Sequence, residues 1–349
     1  MMSHGGDIYR NKVEIDFSIN LNPLGIRDEM KAALVKALDR SLEYPDQDQR
    51  KVRKKIADLE GLDFGNVFAG CGASELIPAI VRSLHPENAL IFAPSYTGYE
   101  RALDGAGVDI LYHNTMKESG FDLTMEDTKS ITDKTDLVFL CDPINPTGKN
   151  IKREVLNEMV RKAYEAGARV ILDESFYLLS KRCRGSFRSK SVDLLRKYDN
   201  LYILRSFTKL FCVPGIRAGV VFGPHDGIKE IAKQVPEWNL PVTSEAVIST
   251  GYDIMKSGVF LRETLEAIKS GRDYLTDKLK GFGFNVYDSD TSFVLFEGPE
   301  GLRPKLLKKG ILIRECDDYP SLGKGYYRIA VRSEEDNKKL IEKIGECLV

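Results

Sequence analysis

Several short stretches of this 349-residue chain hold residue types that can do chemistry together, and RSFTKLFCVPGIRAGV, residues 205–220, is the most telling. Ser206 and Lys209 precede a Pro214–Gly215 break, and Arg217 follows it. A lysine in a partly desolvated site is a nucleophile that forms a Schiff base with an aldehyde. The nearby hydroxyl and permanent cation suit a phosphate ester. The competing reading is the Ser-x-x-Lys pair of an acyl-enzyme, with Ser206 as nucleophile. That chemistry wants the pair at a helix start, with Ser-Asp-Asn and Lys-Thr-Gly elsewhere. Neither tripeptide occurs, and Pro214 and Gly215 cut short any following helix.

Three further stretches complete a set. In CGASE, Gly72, Ala73 and Ser74 open a helix. Small residues there let backbone N–H groups approach an anion, which the helix N-terminus also favours. The stretch is not a P-loop, and it lacks the third glycine of a dinucleotide fingerprint; by itself it is equally an ordinary strand-to-helix turn. In CDPINPTGK, Asn145 lies between two prolines. Turn chemistry accounts for those prolines, or they hold the Asn145 amide against a ligand oxygen. ARVILDESF is an apolar run ending in Asp173 and Glu174. Without a P-loop it is no Walker-B strand. A carboxylate there either caps a helix or holds a proton on a heteroaromatic nitrogen. Taken together, Lys209 takes an aldehyde cofactor, Asp173 its pyridine nitrogen and Asn145 its phenolic oxygen. CGASE, Ser206 and Arg217 take its phosphate.

The elements that must position these residues alternate. Strands are predicted at NVFAG, NALIFAP, VDILYHN, DLVFLCDP, ARVILDE, NLYILRS and RAGVVFG, with helices at ASELIPAIVRSL, TGYERALDGAG and KREVLNEMVRKAYEAG. Short apolar runs alternating with helices predict an α/β fold with a mostly parallel sheet covered on both faces. In such sheets ligands bind at the carboxyl ends of strands, where all four stretches lie. This large domain is expected over residues 46–240. One long helix is expected from about Ser244 to Lys280, then FVLFEG, a helix near RPKLLKKG, the strands ILIRE and YYRIAVR, and a final helix. These form a smaller α+β domain, residues 241–349, which also collects the N-terminal arm, residues 1–45.

Composition bounds the rest. A 42% hydrophobic, 30% charged chain of net charge −1 reads as a globular enzyme without the basic footprint of a nucleic-acid binder. No apolar run reaches membrane-spanning length, and MMSHGGDIYRNK lacks the apolar core of a signal peptide. Six scattered cysteines and four unclustered histidines argue against zinc or a disulfide framework. A cytoplasmic protein without a metal is expected.

The set of stretches, in this order, resembles the fold-type-I pyridoxal-phosphate enzymes of the class I/II aminotransferase family over nearly the whole chain. Within that family it is most similar to the branch of threonine-phosphate decarboxylases and histidinol-phosphate aminotransferases. The resemblance implies Lys209 as the cofactor lysine, Asp173 on the pyridinium nitrogen and Asn145 on the 3-hydroxyl. It also implies Tyr96 of PSYTGYE stacking on the ring, with Gly72, Ala73, Ser74, Ser206 and Arg217 at the phosphate. Tyr44 of YPD is similar to a tyrosine that reaches the neighbouring subunit's cofactor phosphate, so a homodimer is implied. Arg328 is placed at the substrate carboxylate and Arg314 at a substrate phosphate. His4 and Asn20, in an N-terminal segment resembling the decarboxylases, are placed at the phosphate end. Two departures stand out: Phe176 where many relatives have a tyrosine touching the 3-oxygen, and Cys71 where many have asparagine. The resemblance thus implies decarboxylation of a phosphorylated amino acid such as O-phospho-L-threonine, with amino transfer on histidinol phosphate as the alternative.

Overall fold

The computed structural model describes residues 5–348. Its centre is a seven-stranded sheet in the order Val67–Gly70, Gly219–Phe222, Leu201–Ser206, Arg169–Asp173, Leu137–Cys141, Asn88–Ala93 and Asp109–Asn114. All neighbours pair parallel except Gly219–Phe222, which runs antiparallel on both sides. The strands carry apolar residues at nearly every position because both faces are covered. Their period-two alternation sorts side chains into two cores. Val138, Leu140, Val170 and Leu172 enter one cluster, while Leu137, Phe139, Cys141 and Ile171 enter the other.

The smaller sheet has four antiparallel strands in the order Arg314–Glu315, Tyr326–Ala330, Phe293–Glu297 and Asn285–Val286. The N-terminal segment joins it: Ile15–Asp16 pairs parallel with Ile311–Leu312. Phe17 then packs into its core beside Tyr327 and Ile329.

Two expectations change. The long helix over Ser244–Lys280 is two helices, Val242–Met255 and Val259–Gly281. They break at Gly258, which has a φ of 70° and lies so near Gly185 that a Cβ would stand 2.8 Å from the Gly185 carbonyl oxygen. Only glycine permits that approach in the left-handed region. Packing also crosses the expected domain limits at residues 45 and 241. Met30, Val247, Ile248 and Tyr252 are buried in the large-sheet core, and the second helix packs there as far as Ile268 before joining the small one from Tyr274.

Beneath the sheet's carboxyl edge lies an ion cluster. Arg205, 1% exposed, donates to Glu60 Oε1 at 2.5 Å and Glu174 Oε2 at 3.0 Å. Tyr252 adds its hydroxyl to Glu60 at 2.7 Å. Burial pushes the Glu60 carboxyl upward, and the Arg205 charge opposes that shift. Removing the one cation strands two carboxylates away from water, a loss of about 3–5 kcal/mol. Arg205→Leu is therefore expected to lower unfolding stability by about that amount in urea titrations, and an unchanged midpoint would refute this account of the cluster.

Candidate active site

Every large-domain stretch singled out by sequence meets at one cavity of ≈ 200 Å³. Ala73, Ser74, Tyr96, Asn145, Asp173, Ser206, Lys209 and Arg217 line it from the large sheet. Arg314 and Arg328 line it from the small one, and Gly5, Ser18 and Asn20 from the N-terminal segment.

The strand register explains the convergence. Asp173 ends its strand opposite Cys141, and Ser206 ends the next strand opposite Gly219. Gly219 also pairs with Gly70. A Cβ on Gly219 would stand 2.9 Å from Gly72 Cα, so the absent side chain lets the CGASE turn lie on the strand. Gly72 itself takes a φ of 78° as the residue before helix Ala73–Leu84. A Cβ there would meet Arg217 Nη2 at 3.1 Å. Arg217, at a φ of 61°, turns back across the helix start and donates to Ser74 Oγ at 2.7 Å and to the Pro214 carbonyl at 2.9 Å. Ser206 Oγ lies 2.8 Å from Thr208 Oγ1. Among the described residues Arg217 has no carboxylate partner.

Lys209 is half-buried in the turn after this strand. Desolvation, and then the Arg217 and Arg328 charges, pull its amine down to about 8, against the opposing charge of Asp173. The N-terminal segment covers the turn: Asn22 N–H donates to the Lys209 carbonyl at 3.1 Å, and the Asn22 amide donates to Leu210 O and Thr264 Oγ1, both at 3.0 Å. Asn22 is thus a structural tether, while Asn20 lines the cavity.

Asp173 is a buried carboxylate that no arginine or lysine neutralises by contact among the described residues. Tyr99 donates its hydroxyl to Oδ2 at 2.7 Å, and the Ser175 N–H donates to Oδ1 at 2.9 Å. Burial raises its carboxyl, which those hydrogen bonds oppose. Asn145 accepts from Arg328 Nη1 through Oδ1 at 2.5 Å, which leaves its Nδ2 free to donate. Arg328 also donates to the Ser18 carbonyl at 2.7 Å and lies over the Phe293 ring at 5.4 Å. Three lining residues, Asn20 (Oδ1), Ser175 (Oγ) and Arg328 (Nε), have buried polar atoms with no partner among the described residues. Buried polar atoms are normally paired, so these point to a ligand.

Some residues lie elsewhere. Tyr44 is 80% exposed, leans on Trp238 with ring centroids 4.7 Å apart and planes 33° from parallel, and lies outside this chain's cavity. His4 falls outside the described residues. Phe176 lines the cavity edge-on to Phe293, whereas the Tyr177 hydroxyl turns away to the Ser186 and Arg188 carbonyls. Cys71 hydrogen-bonds the Asn239 carbonyl at 3.0 Å beside the phosphate turn. Sequence reasoning missed Tyr99, Thr208 and Tyr319. Tyr99 had a signal, since its three-residue spacing from Tyr96 brings both rings together at the helix start, 5.4 Å apart.

These charges fit pyridoxal phosphate. A ring N–H⁺ answers Asp173, a phosphate answers Arg217 and the helix N-terminus, and an aldehyde answers the depressed Lys209 amine. Among the described residues no cluster of three metal-ligating side chains occurs.

Comparison with known proteins agrees. Residues 12–344 match the family of aminotransferase class I and II. A protein of Caldanaerobacter subterraneus subsp. tengcongensis, provisionally named threonine-phosphate decarboxylase, is 33% identical over 98% of this chain and 92% of its own length. The histidinol-phosphate aminotransferase 2 of Archaeoglobus fulgidus is 32% identical over 97% of this chain and 94% of its own. Among solved structures, the histidinol-phosphate aminotransferase of Clostridium acetobutylicum superposes with a TM-score of 0.86 at 29% identity, covering 95% of this chain and 98% of that one. The chain belongs to the aminotransferase class I and II family and is a pyridoxal-phosphate-dependent enzyme.

Proposed function

We propose that this enzyme decarboxylates a phosphorylated amino acid of the O-phospho-L-threonine type. The observation that carries the reading is Arg328, a buried cation held by Asn145 and the Ser18 carbonyl with no carboxylate partner among the described residues. A substrate carboxylate is the natural occupant. The N-terminal segment lines the cavity with Gly5, Ser18 and Asn20, whose Oδ1 is unpartnered, and its resemblance to the decarboxylases supports the lyase over the transferase. Amino transfer on histidinol phosphate with 2-oxoglutarate is the second reading, favoured by the 32%-identical relative of that name.

Pyridoxal phosphate, when bound, supplies an electron sink for the charge left at the substrate Cα. Asp173 would keep the ring nitrogen protonated, and its burial would strengthen that interaction. Asn145, its orientation set by Arg328, would offer its Nδ2–H to the cofactor's phenolic oxygen, and Tyr96 would pack against the ring. Arg217, Ser74, Ser206 and the N–H groups of Ala73 and Ser74 would hold the phosphate, and Gly72 keeps space for Arg217. Arg328 holds the carboxylate, and Lys209, with an amine near neutrality, returns a proton to Cα. Arg314 and Asn20 face the substrate's far end, where His4 is the further candidate.

We also infer a homodimer. Val35, Leu38, Leu42, Tyr44 and Trp238 leave apolar side chains exposed, Leu42 at 95%, and Tyr44 lies against Trp238. A two-fold partner covering them brings Tyr44 to the neighbouring phosphate. Among the described residues no helix is long and apolar enough to cross a membrane. All six cysteines are free, which supports a reducing, cytoplasmic setting.

Three measurements test these readings. With O-phospho-L-threonine the enzyme is expected to release CO₂ without needing an oxo acid, and transfer to 2-oxoglutarate without CO₂ would replace the first reading by the second. Apo-protein should take up pyridoxal phosphate at a rate that climbs with pH through about 8 and then levels, because the neutral Lys209 amine is the nucleophile; a rise continuing toward the ordinary lysine range would contradict the depressed amine, and Lys209→Ala should not develop the visible absorption. Mixed dimers of Lys209→Ala and Tyr44→Ala chains contain one site with both residues intact, so mixing should restore roughly a quarter of wild-type activity. No recovery from two separately inactive variants would remove Tyr44 from the partner's site.

A further inference from the structure

Arg314 and Arg328 face the cavity as direct cross-strand neighbours, Cα partner to Cα partner on antiparallel strands. Like charges in that relation repel, and both are nearly buried, at 3% and 6% exposure. The molecule treats them differently. Arg328 has only neutral partners: an amide oxygen, a carbonyl and a ring. Arg314 carries a resident counter-ion. Its Nη2 donates to both carboxylate oxygens of Asp318, at 2.6 and 2.7 Å, while Nη1 donates to the Glu315 carbonyl at 2.7 Å. The Tyr319 ring lies 5.1 Å from the guanidinium.

The loop carrying Asp318 is held in place rather than loose. Cys316 N–H donates to Tyr326 O at 2.8 Å, and Tyr319 and Leu322 close successive turns. Cys316, Tyr319 and Leu322 are buried together with Phe121 and Tyr287. Ser321 ties the loop tip to Asn114, at the end of a large-sheet strand, at 2.6 Å. The Asp318 carboxylate is therefore presented to Arg314 by a packed turn.

We propose that Asp318 is a specificity-determining residue that sets how tightly the pocket holds an anionic substrate end. Resting on the phosphorylated-substrate reading above, the inference is that a substrate phosphate must compete with the Asp318 carboxylate for Arg314, whereas a carboxylate meets no competitor at Arg328. The pocket thus has one open anion site and one masked. The mask removes the cost of a bare buried guanidinium when no substrate is present. It also weakens the grip on phosphate by the hydrogen bonds that must be exchanged, which discriminates against anionic ends that cannot displace a carboxylate.

The test uses holoenzyme, so that the cofactor's own phosphate fills the Arg217 site. Thermal unfolding is followed against inorganic phosphate for wild type, Asp318→Asn and the double variant Asp318→Asn/Arg314→Met, and KM and kcat are measured with O-phospho-L-threonine. With the mask gone, half-maximal protection by phosphate should need about tenfold less anion, the factor carried by one charge-assisted hydrogen bond. KM should fall by a similar factor, with the change in KM rather than kcat. The gain should vanish in the double variant. Unchanged or weaker phosphate protection in Asp318→Asn, or a raised KM, would show that Asp318 instead orients Arg314 for binding and overturn the proposal. If neither protein turns over phosphothreonine, the substrate reading fails while the phosphate titration still decides the role of Asp318. Asp318→Ser repeats the titration should the asparagine variant not fold.

Discussion

The site depends on charge left uncompensated in a place that water reaches poorly. Asp173 is buried at a strand end with a tyrosine hydroxyl and a backbone N–H for partners, and no arginine or lysine in contact. A lone carboxylate in such surroundings is costly, and the protein keeps it by supplying donors rather than a counter-charge. Arg328 is stranded in the same way with the opposite sign, and Arg217, half-buried at the cavity wall, likewise has no carboxylate partner among the described residues. Lys209 sits among these three charges, and its lowered basicity follows from that position. The folded chain alone is an incomplete electrostatic arrangement, which a cation at one end and anions at two others would complete.

The contrast with the cluster beneath the sheet is instructive. Arg205, Glu60 and Glu174 are equally buried, yet the cation there has two carboxylates of the same chain in contact with it. Both groups are polar and enclosed, and their difference lies in whether the partners are internal. Internal pairing makes structure, whereas missing partners make a binding site.

Much of this was legible in the sequence. The alternation of apolar runs and helices forecast the large sheet, because a strand buried on both faces has few residue types open to it. Lys209, Asp173, Asn145 and Arg217 could be singled out because Asp173 ends a strand, Asn145 and Lys209 come soon after one, and Arg217 leads into the antiparallel strand, which places all four at one edge of the sheet. What sequence did not reveal depends on distance across the fold. Tyr99 reads as a core aromatic until its hydroxyl is found on Asp173. Asn20 and Asn22 look like a matched pair, but one lines the cavity and the other ties down the Lys209 turn. The bend at Gly258 lies against Gly185, far away in sequence, where a side chain would clash. Asp318 is one acid among several until the turn presents it to Arg314.

The two charge groups also meet in the alternation of adjacent strands. Asp173 and Glu174 are consecutive, as are Arg205 and Ser206, and in each pair one side chain enters the cavity and the other the ion cluster. Because side chains along a strand alternate, sliding either strand by one residue would send a core ion into the cavity and a site residue into the core. The Arg205–Glu174 pair, joining the two strands just beneath the site, therefore works as an index pin. It makes misregistered pairing expensive at the one position where a slip of a single residue would exchange chemistry for structure.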